Sequence, residues 1–358
     1  VQFIDLADGV DAQAVLGRPA AIAEAGGAGI AGAGDDLRQA VALALVVVLR
    51  CAHGYFSLHP CGCLHRKWAD YTDGPALKTV AAMPKFAANL SFMFTEVPFA
   101  ERFGRAAAAG FAGVEYLFPY EWPAREVAGW LTAAGVEQVL FNLAPGDWAA
   151  GERGLACLPD RRGEFAESVE QGLEYALVLD CERVHCMAGL TPAGVSEAEL
   201  AETYIANLRH AADRFATIGA TVLIEPINTR DMPGYFLHRQ EVAHRVVQTI
   251  GAPNLKVQMD LYHCQIMEGD VATKIREYLP TGRVGHFQIA GVPMRHEPDL
   301  GEVNYLYLFD VIDEVAAACH WEGWVGCEYR PVRGPISLGT REGLGWIQSH
   351  SFEPSGMG

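Results

Sequence analysis

The chain has 358 residues, half of them hydrophobic, and a formal net charge of -17 from 27 basic and 44 acidic side chains. That length and apolar content suffice for a large buried core, while the acidic balance excludes a role built on phosphate-backbone contacts, so no nucleic-acid partner is expected. Nine cysteines are too few and too irregularly spaced for a disulfide scaffold, and reduced thiols in a cytoplasmic protein are expected.

Residues 1–82 differ in texture from the rest of the chain. Ala20 to Gly34 is almost all alanine, glycine and isoleucine. The longest apolar run, Ala40 to Leu49, falls well short of the roughly 20 residues that a membrane-spanning helix needs. An acidic, glycine-rich stretch precedes it where a signal peptide would carry a short basic region, so neither a membrane span nor export is expected. His59-Pro-Cys-Gly-Cys-Leu-His65 has the residue types of a small metal site, but one residue separates Cys61 from Cys63 where zinc sites use two or more. Chance clustering in a poorly structured leader explains it better. Met83 looks like the natural beginning, since a strand starts almost at once, so residues 1–82 are read as an N-terminal extension, either disordered or upstream sequence translated from a mis-assigned start. Residues 349–358 are read as a tail.

From Phe86 to about Gln348 strand and helix patterns alternate, the mark of an α/β fold with a parallel sheet. The spacing predicts strands at 86–94, 113–118, 137–144, 183–188, 221–227, 255–261, 284–290 and 324–330. Helices are predicted between them, including 98–109, 124–134, 161–179, 197–218, 239–250 and 305–320. Ser196 with Glu199 opens one helix, and Gly110, Gly135 and Gly219 close others. Eight such units in about 265 residues, 83–348, match a closed (β/α)8 barrel of TIM type, which usually takes about 250. A doubly wound sheet is the alternative, but no Gly-x-Gly-x-x-Gly comes after the first strand. A closed sheet has no edge for a further segment to pair with, so deleting residues 1–82 is expected to leave Tm and kcat/KM unchanged at equal protein concentration. A truncated protein that precipitates, or melts many degrees lower, would make the extension integral to the fold, with Ala40 to Leu49 covering the barrel's amino-terminal face or a contact in a homo-oligomer.

Four predicted strands carry an oxygen-bearing side chain at or near their ends. Thr221-Val-Leu-Ile-Glu-Pro-Ile-Asn228 is an unbroken apolar run that stops at Glu225; Leu255-Lys-Val-Gln-Met-Asp260, Val284-Gly-His-Phe-Gln288 and Trp324-Val-Gly-Cys-Glu328 repeat the pattern. In a parallel barrel the carboxyl ends of the strands share one face, so Glu225, Asp260, Gln288 and Glu328 would meet around one point. Three carboxylates and an amide carbonyl are hard oxygen ligands suited to Mg²⁺ or Mn²⁺; without a cation, at least one carboxylate would have to take up a proton. The competing reading is that each acid caps the next helix. It serves Asp260 well and Glu225 poorly, because Pro226 comes next and Ile227 continues the strand.

His263, three residues past Asp260, and His185, near the end of the fourth strand, have the donor and acceptor needed to meet a substrate oxygen, although a lone histidine is as often a satisfied core residue. Arg295 and His296 bring positive charge to the same rim, and a guanidinium can hold a carboxylate through two parallel hydrogen bonds; a solvated loop arginine is the bland alternative. Trp148, in Pro145-Gly-Asp-Trp148, is placed to close over a small substrate or merely to pack its loop.

Glu-Pro-Ile-Asn at 225–228, Met-Asp-Leu-Tyr-His at 259–263, His-Phe-Gln-Ile-Ala at 286–290 and Glu-Tyr-Arg-Pro at 328–331 together resemble the hydroxypyruvate isomerase family of the xylose-isomerase-like barrels, over about residues 83–348. The resemblance implies interconversion of hydroxypyruvate and tartronate semialdehyde, with Glu225 and Glu328 as a proton-transfer pair that also contacts the metal. Gln288 stands where sugar-epimerase relatives place a histidine, which favours the isomerase branch. The chemistry suits the residues: removing a proton beside a carbonyl needs a base, an acid to return it and positive charge on the oxygens. A four-carbon substrate, 2-oxo-tetronate, is the runner-up. Ketose 3-epimerisation ranks third, and a metal-binding barrel without turnover is disfavoured because both glutamates are present. A DNA-repair nuclease is disfavoured by the acidic charge and by too few histidines at strand ends.

Overall fold

Residues 84–333 and 339–350 are described by a computed structural model. The expectations for residues 1–82, including His59 to His65, and for the tail lie outside the described residues.

The eight expected strands are β1 (Lys85–Asn89), β2 (Gly113–Tyr116), β3 (Glu137–Asn142), β4 (Arg183–His185), β5 (Thr221–Ile224), β6 (Leu255–Asp260), β7 (Val284–Ile289) and β8 (Trp324–Cys327). They form a closed barrel in chain order, every neighbouring pair parallel, and β1 closes on β8 through Phe86 opposite Val325. Between them run α1 (Phe99–Ala108), α2 (Ala124–Ala134), α3 (Arg162–Leu179), α4 (Glu197–Ala216), α5 (Gln240–Ile250), α6 (Leu261–Met267), α7 (Val271–Tyr278) and α8 (Tyr305–Cys319). The (β/α)8 architecture read from the sequence is the observed one.

Local chemistry sets the element ends. Ser196 caps α4 by accepting from the Glu199 N–H at 3.3 Å, the arrangement its sequence predicts. Gly135 takes the left-handed conformation, φ 68°, that ends α2. Several strands are shorter than their apolar runs suggested. The ladder of β1 ends at Asn89, whose side-chain oxygen accepts from the Ser91 N–H at 3.1 Å and turns the chain. That of β5 ends at Ile224, just before Glu225 and Pro226, and proline offers no N–H to continue it. Residues beyond these ends, such as Leu90, Met93 and Ile227, stay buried because the loops fold down onto the barrel. Burial therefore outlasts strand pairing.

Most of the apolar core lies in one cluster that includes Phe103, Val114, Phe141, Val184, Val222 and Phe287; burying side chains of this size contributes about 1.5–3 kcal/mol each before entropy is counted. Ala87, Val139, Leu140, Leu223 and Trp324 form a second, small cluster. Its members precede the polar residues on the same strands: Ala87 comes before Asn89, Leu140 before Asn142, Leu223 before Glu225 and Trp324 before Glu328. An apolar plug thus underlies a polar layer at the strands' carboxyl ends. The six described cysteines are all free, as expected, and no described helix is long and apolar enough to cross a membrane.

Candidate active site

Glu225, directly after β5, Asp260, the last residue of β6, and Glu328, directly after β8, are 4%, 0% and 5% exposed, so each has left bulk water. Together with His263 they bring ligand atoms within 4.8 Å of one another. The predicted convergence of the three carboxylates is therefore present.

Asp260 does two jobs. Its Oδ1 accepts from the backbone N–H of Tyr262 at 2.7 Å and of His263 at 3.4 Å, capping α6, while Oδ2 points into the cluster with no hydrogen-bond partner. The capping expectation thus holds for one oxygen of Asp260, and the other is left free beside Glu225 and Glu328. Glu225 Oε1 likewise lacks a partner.

Arg295 supplies the countercharge. Its Nη2 lies 2.5 Å from Glu328 Oε2 and 4.0 Å from Asp260 Oδ2, and its guanidinium sits over the rings of Phe92 and Tyr262 at 4.8 and 5.2 Å. The residue adopts a left-handed backbone, φ 58°, a costly conformation for a long side chain, and its Nε also donates to the Glu328 carbonyl at 3.3 Å. His296, its neighbour, turns its Nδ1 to the Arg330 carbonyl at 3.1 Å and is not among the residues lining the cavity. Of the two cations expected at this rim, only Arg295 faces the carboxylates.

Both histidines lie in the site. His263 Nδ1 is 2.6 Å from the Asn228 side-chain nitrogen and 3.4 Å from its backbone nitrogen; facing two donors, Nδ1 must accept. The neutral ring then carries its proton on Nε2, 3.5 Å from Asp260 Oδ2 and 3.8 Å from Glu225 Oε1. His185 Nδ1 lies 3.7 Å from Glu225 Oε2, and its buried Nε2 has no partner. Burial pushes the His185 imidazole down to about 3 and, with Arg295 nearby, holds His263 well below the usual histidine range, so both are neutral at pH 7.

The carboxyls shift the other way. Burial, then Glu328 and Asp260, raises Glu225 well above the ordinary carboxylate range. Burial raises Glu328 to about 8 against the opposing pull of Arg295, and raises Asp260 to about 6 against Arg295 and the two capping N–H groups. Three buried acids at one point cannot all ionise unless something positive joins them.

A divalent cation fits here on two observations. Buried oxygens of Glu225 and Asp260 lack any partner, and the donor set is mainly carboxylate oxygen, which suits Mg²⁺ or Mn²⁺. Gln288, on β7 directly opposite Asp260, adds an amide. Its Oε1 accepts from Gln258 Nε2 at 2.6 Å, leaving one carbonyl lone pair for another partner.

Glu225 and Glu328, together with His185, His263 and Gln288, line a cavity of about 480 Å³ whose wall also includes Phe92, Trp148, Arg153, Met294 and Arg330, while Asp260 lies fully buried behind it. Trp148 is 37% exposed, lines the cavity and packs against Phe118 at 5.1 Å, with the Arg153 guanidinium 3.9 Å over its ring. Several lining residues are barely marked in the sequence. Glu115, on β2, is fully buried and receives hydrogen bonds from Asn89 and Gln288; the only signal was an acid inside the apolar run Gly113-Val-Glu-Tyr116. Gln258 carried no signal beyond being polar within an apolar stretch, and Asn228, which sits behind His263, was marked only as part of the Glu-Pro-Ile-Asn motif.

A family model described as a xylose isomerase-like TIM barrel matches residues 103–350. A 2-oxo-tetronate isomerase of Cupriavidus necator is 55% identical over 268 residues, which are 75% of this chain and 99% of that protein. A hydroxypyruvate isomerase of Escherichia coli strain K12 is 42% identical over 268 residues, 75% of this chain and 100% of that protein. A crystal structure described as an AP endonuclease, family 2, from Brucella melitensis superimposes with a TM-score of 0.69 at 52% identity, covering 75% of this chain and 99% of the other.

Proposed function

We propose that this chain, which belongs to the xylose isomerase-like TIM barrel family and within it to the hydroxypyruvate isomerase family, shifts a carbonyl between adjacent carbons of a short 2-oxo acid by proton transfer through Glu225 and Glu328. As an enzyme it is an isomerase of the hydroxypyruvate isomerase type. The observation that carries the mechanism is the approach of the Glu225 and Glu328 oxygens to within 4.8 Å in a pocket that holds their affinity for protons high. One glutamate takes the proton from the hydroxyl-bearing carbon and a glutamate returns one to the neighbouring carbon. The roles exchange when the reaction runs backwards.

Glu225, Asp260, Glu328 and the Gln288 carbonyl would hold Mg²⁺ or Mn²⁺, which when bound supplies positive charge to the substrate's oxygens. His185, with Nε2 unpartnered, is placed to meet a substrate oxygen. His263 presents its Nε2 proton to the same space, 3.5 Å from Asp260 Oδ2 and 3.8 Å from Glu225 Oε1. Arg295 adds fixed positive charge beside the reacting oxygens. Arg153 and Arg330, which line the cavity and form no ion pair among the described residues, add further attraction for an acidic substrate.

We take the four-carbon acid as the first reading, because the Cupriavidus necator protein at 55% identity is named a 2-oxo-tetronate isomerase, as is one from Pectobacterium atrosepticum at 47%. Hydroxypyruvate, the substrate implied by the sequence motifs, is the second, favoured by the relative from Escherichia coli. Turnover of each acid in deuterated water tests both points. The expected result is isomerisation with loss of the α-proton to solvent and a higher kcat/KM for 2-oxo-tetronate. A higher value for hydroxypyruvate reverses the order of substrates, and absence of exchange and turnover with both acids refutes the reaction.

A further inference from the structure

The cavity wall also carries a buried polar chain through Asn89, Glu115 and Gln288 that the proton-transfer scheme does not use. Glu115 Oε1 accepts from Gln288 Nε2 at 2.6 Å and from Asn89 Nδ2 at 3.0 Å, and Glu115 Oε2 lies 2.7 Å from His286 Nε2. These contacts cross the barrel interior from β2 to β7, passing β1 and β8. The crossing needs an empty position on β8. Gly326 provides it: a Cβ there would stand 2.3 Å from Glu115 Oε1 and 2.4 Å from Oε2.

A carboxylate can only accept. The Gln288 amide must therefore turn its NH₂ towards Glu115, which sends its carbonyl oxygen the other way, towards Gln258 Nε2 at 2.6 Å and the side of Asp260, its partner in the β6–β7 register. A glutamine facing a neutral amide would have no such instruction, since either end could bond.

We propose that Glu115 is a positioning residue: it fixes the orientation of the Gln288 carboxamide, so that an amide oxygen rather than an NH₂ group faces the cation site. The inference rests on the proposed cation site, with Gln288 as one of its ligands. Partners of this kind, which orient a metal ligand without touching the metal, typically account for 10–100-fold in metal affinity.

The test is a double-mutant cycle on Mn²⁺ affinity, measured by calorimetry on chelator-treated protein, so the readout is independent of turnover. Glu115→Gln is expected to weaken Mn²⁺ binding about 10-fold or more with Gln288 present, and less than about twofold in a Gln288→Ala background. Equal weakening in both backgrounds would assign Glu115 a general electrostatic or packing role and overturn the proposal, as would no weakening at all. If Gln288→Ala alone leaves Mn²⁺ affinity unchanged, Gln288 is no ligand and the proposal falls with it. If circular dichroism shows Glu115→Gln unfolded, Gly326→Ala takes its place in the cycle under the same criteria, because its methyl displaces the Glu115 carboxylate while leaving its charge. A wild-type protein that binds no Mn²⁺ brings down the cation site and this inference together. A cycle that behaves as expected in a protein that isomerises neither acid leaves the inference standing and removes only the reaction.

Discussion

Replacing Glu225 or Glu328 by glutamine is expected to leave a folded protein whose turnover is lower by roughly 10²–10⁴-fold, the usual loss when a general acid or base is removed. Glutamine matches glutamate in shape and can still offer an oxygen to a cation, but it cannot take or give a proton near neutral pH. The two variants should differ in stability. Glu225 is buried with one oxygen unpartnered, so losing its charge relieves repulsion from Glu328 and Asp260, and the metal-free melting temperature should hold or rise. Glu328 holds Arg295 at 2.5 Å; losing its charge leaves a mostly buried guanidinium whose remaining ion-pair partner is Asp260, 4.0 Å away, and the melting temperature should fall. Steady-state kcat alongside thermal melts checks both halves, and near wild-type kcat in either variant would refute the proton-transfer roles.

Removing divalent cations is the second large perturbation. In the metal-free protein Asp260 and Glu328 titrate at about 6 and about 8, with Glu225 also raised, all above the ordinary carboxylate range. The folded state therefore binds more protons than the unfolded state between that range and these raised values. The stability this contributes is complete below the ordinary carboxylate range and is lost as pH rises through about 6 and then about 8. Chelated protein should accordingly melt at progressively lower temperature from about pH 5 to pH 9. Mg²⁺ or Mn²⁺ takes over from the protons, so its stabilisation should grow over the same range, reaching about 4 kcal/mol where the free ion is 1,000 times its Kd. Activity should vanish on chelation and return with the ion. Full activity in protein shown by metal analysis to be ion-free, or a melting temperature that ignores both pH and ion, would remove the cation from this site.

The barrel was readable because parallel strands buried on both faces appear as short apolar runs, and Glu225, Asp260, Gln288 and Glu328 stood out by interrupting those runs at their ends. What stayed hidden depends on contacts across the barrel. Glu115 is a single acid inside a short run, and its partners Gln288 and His286 lie more than 170 residues away; no local pattern links β2 to β7. Arg295 and His296 were indistinguishable as neighbouring cations in one loop, and what separates them is the left-handed backbone at Arg295, which turns one side chain inward and which no residue type announces. The Asp260 question had no sequence answer because its two oxygens act separately, one capping α6 and the other facing the site.

The empty position at Gly326 also limits how such a sequence can drift. An alanine there collides with Glu115, whereas the same alanine beside a shortened residue 115 would fill vacant space. Substitutions at the two positions are thus coupled: with Glu115 in place an alanine at 326 must push its carboxylate aside and disturb its contacts with Asn89 and Gln288, whereas after residue 115 shrinks the same step disturbs neither. Across homologous barrels the two columns should vary together, a long acid at one accompanying glycine at the other, and a lineage that has taken the step should have another means of orienting the residue at position 288.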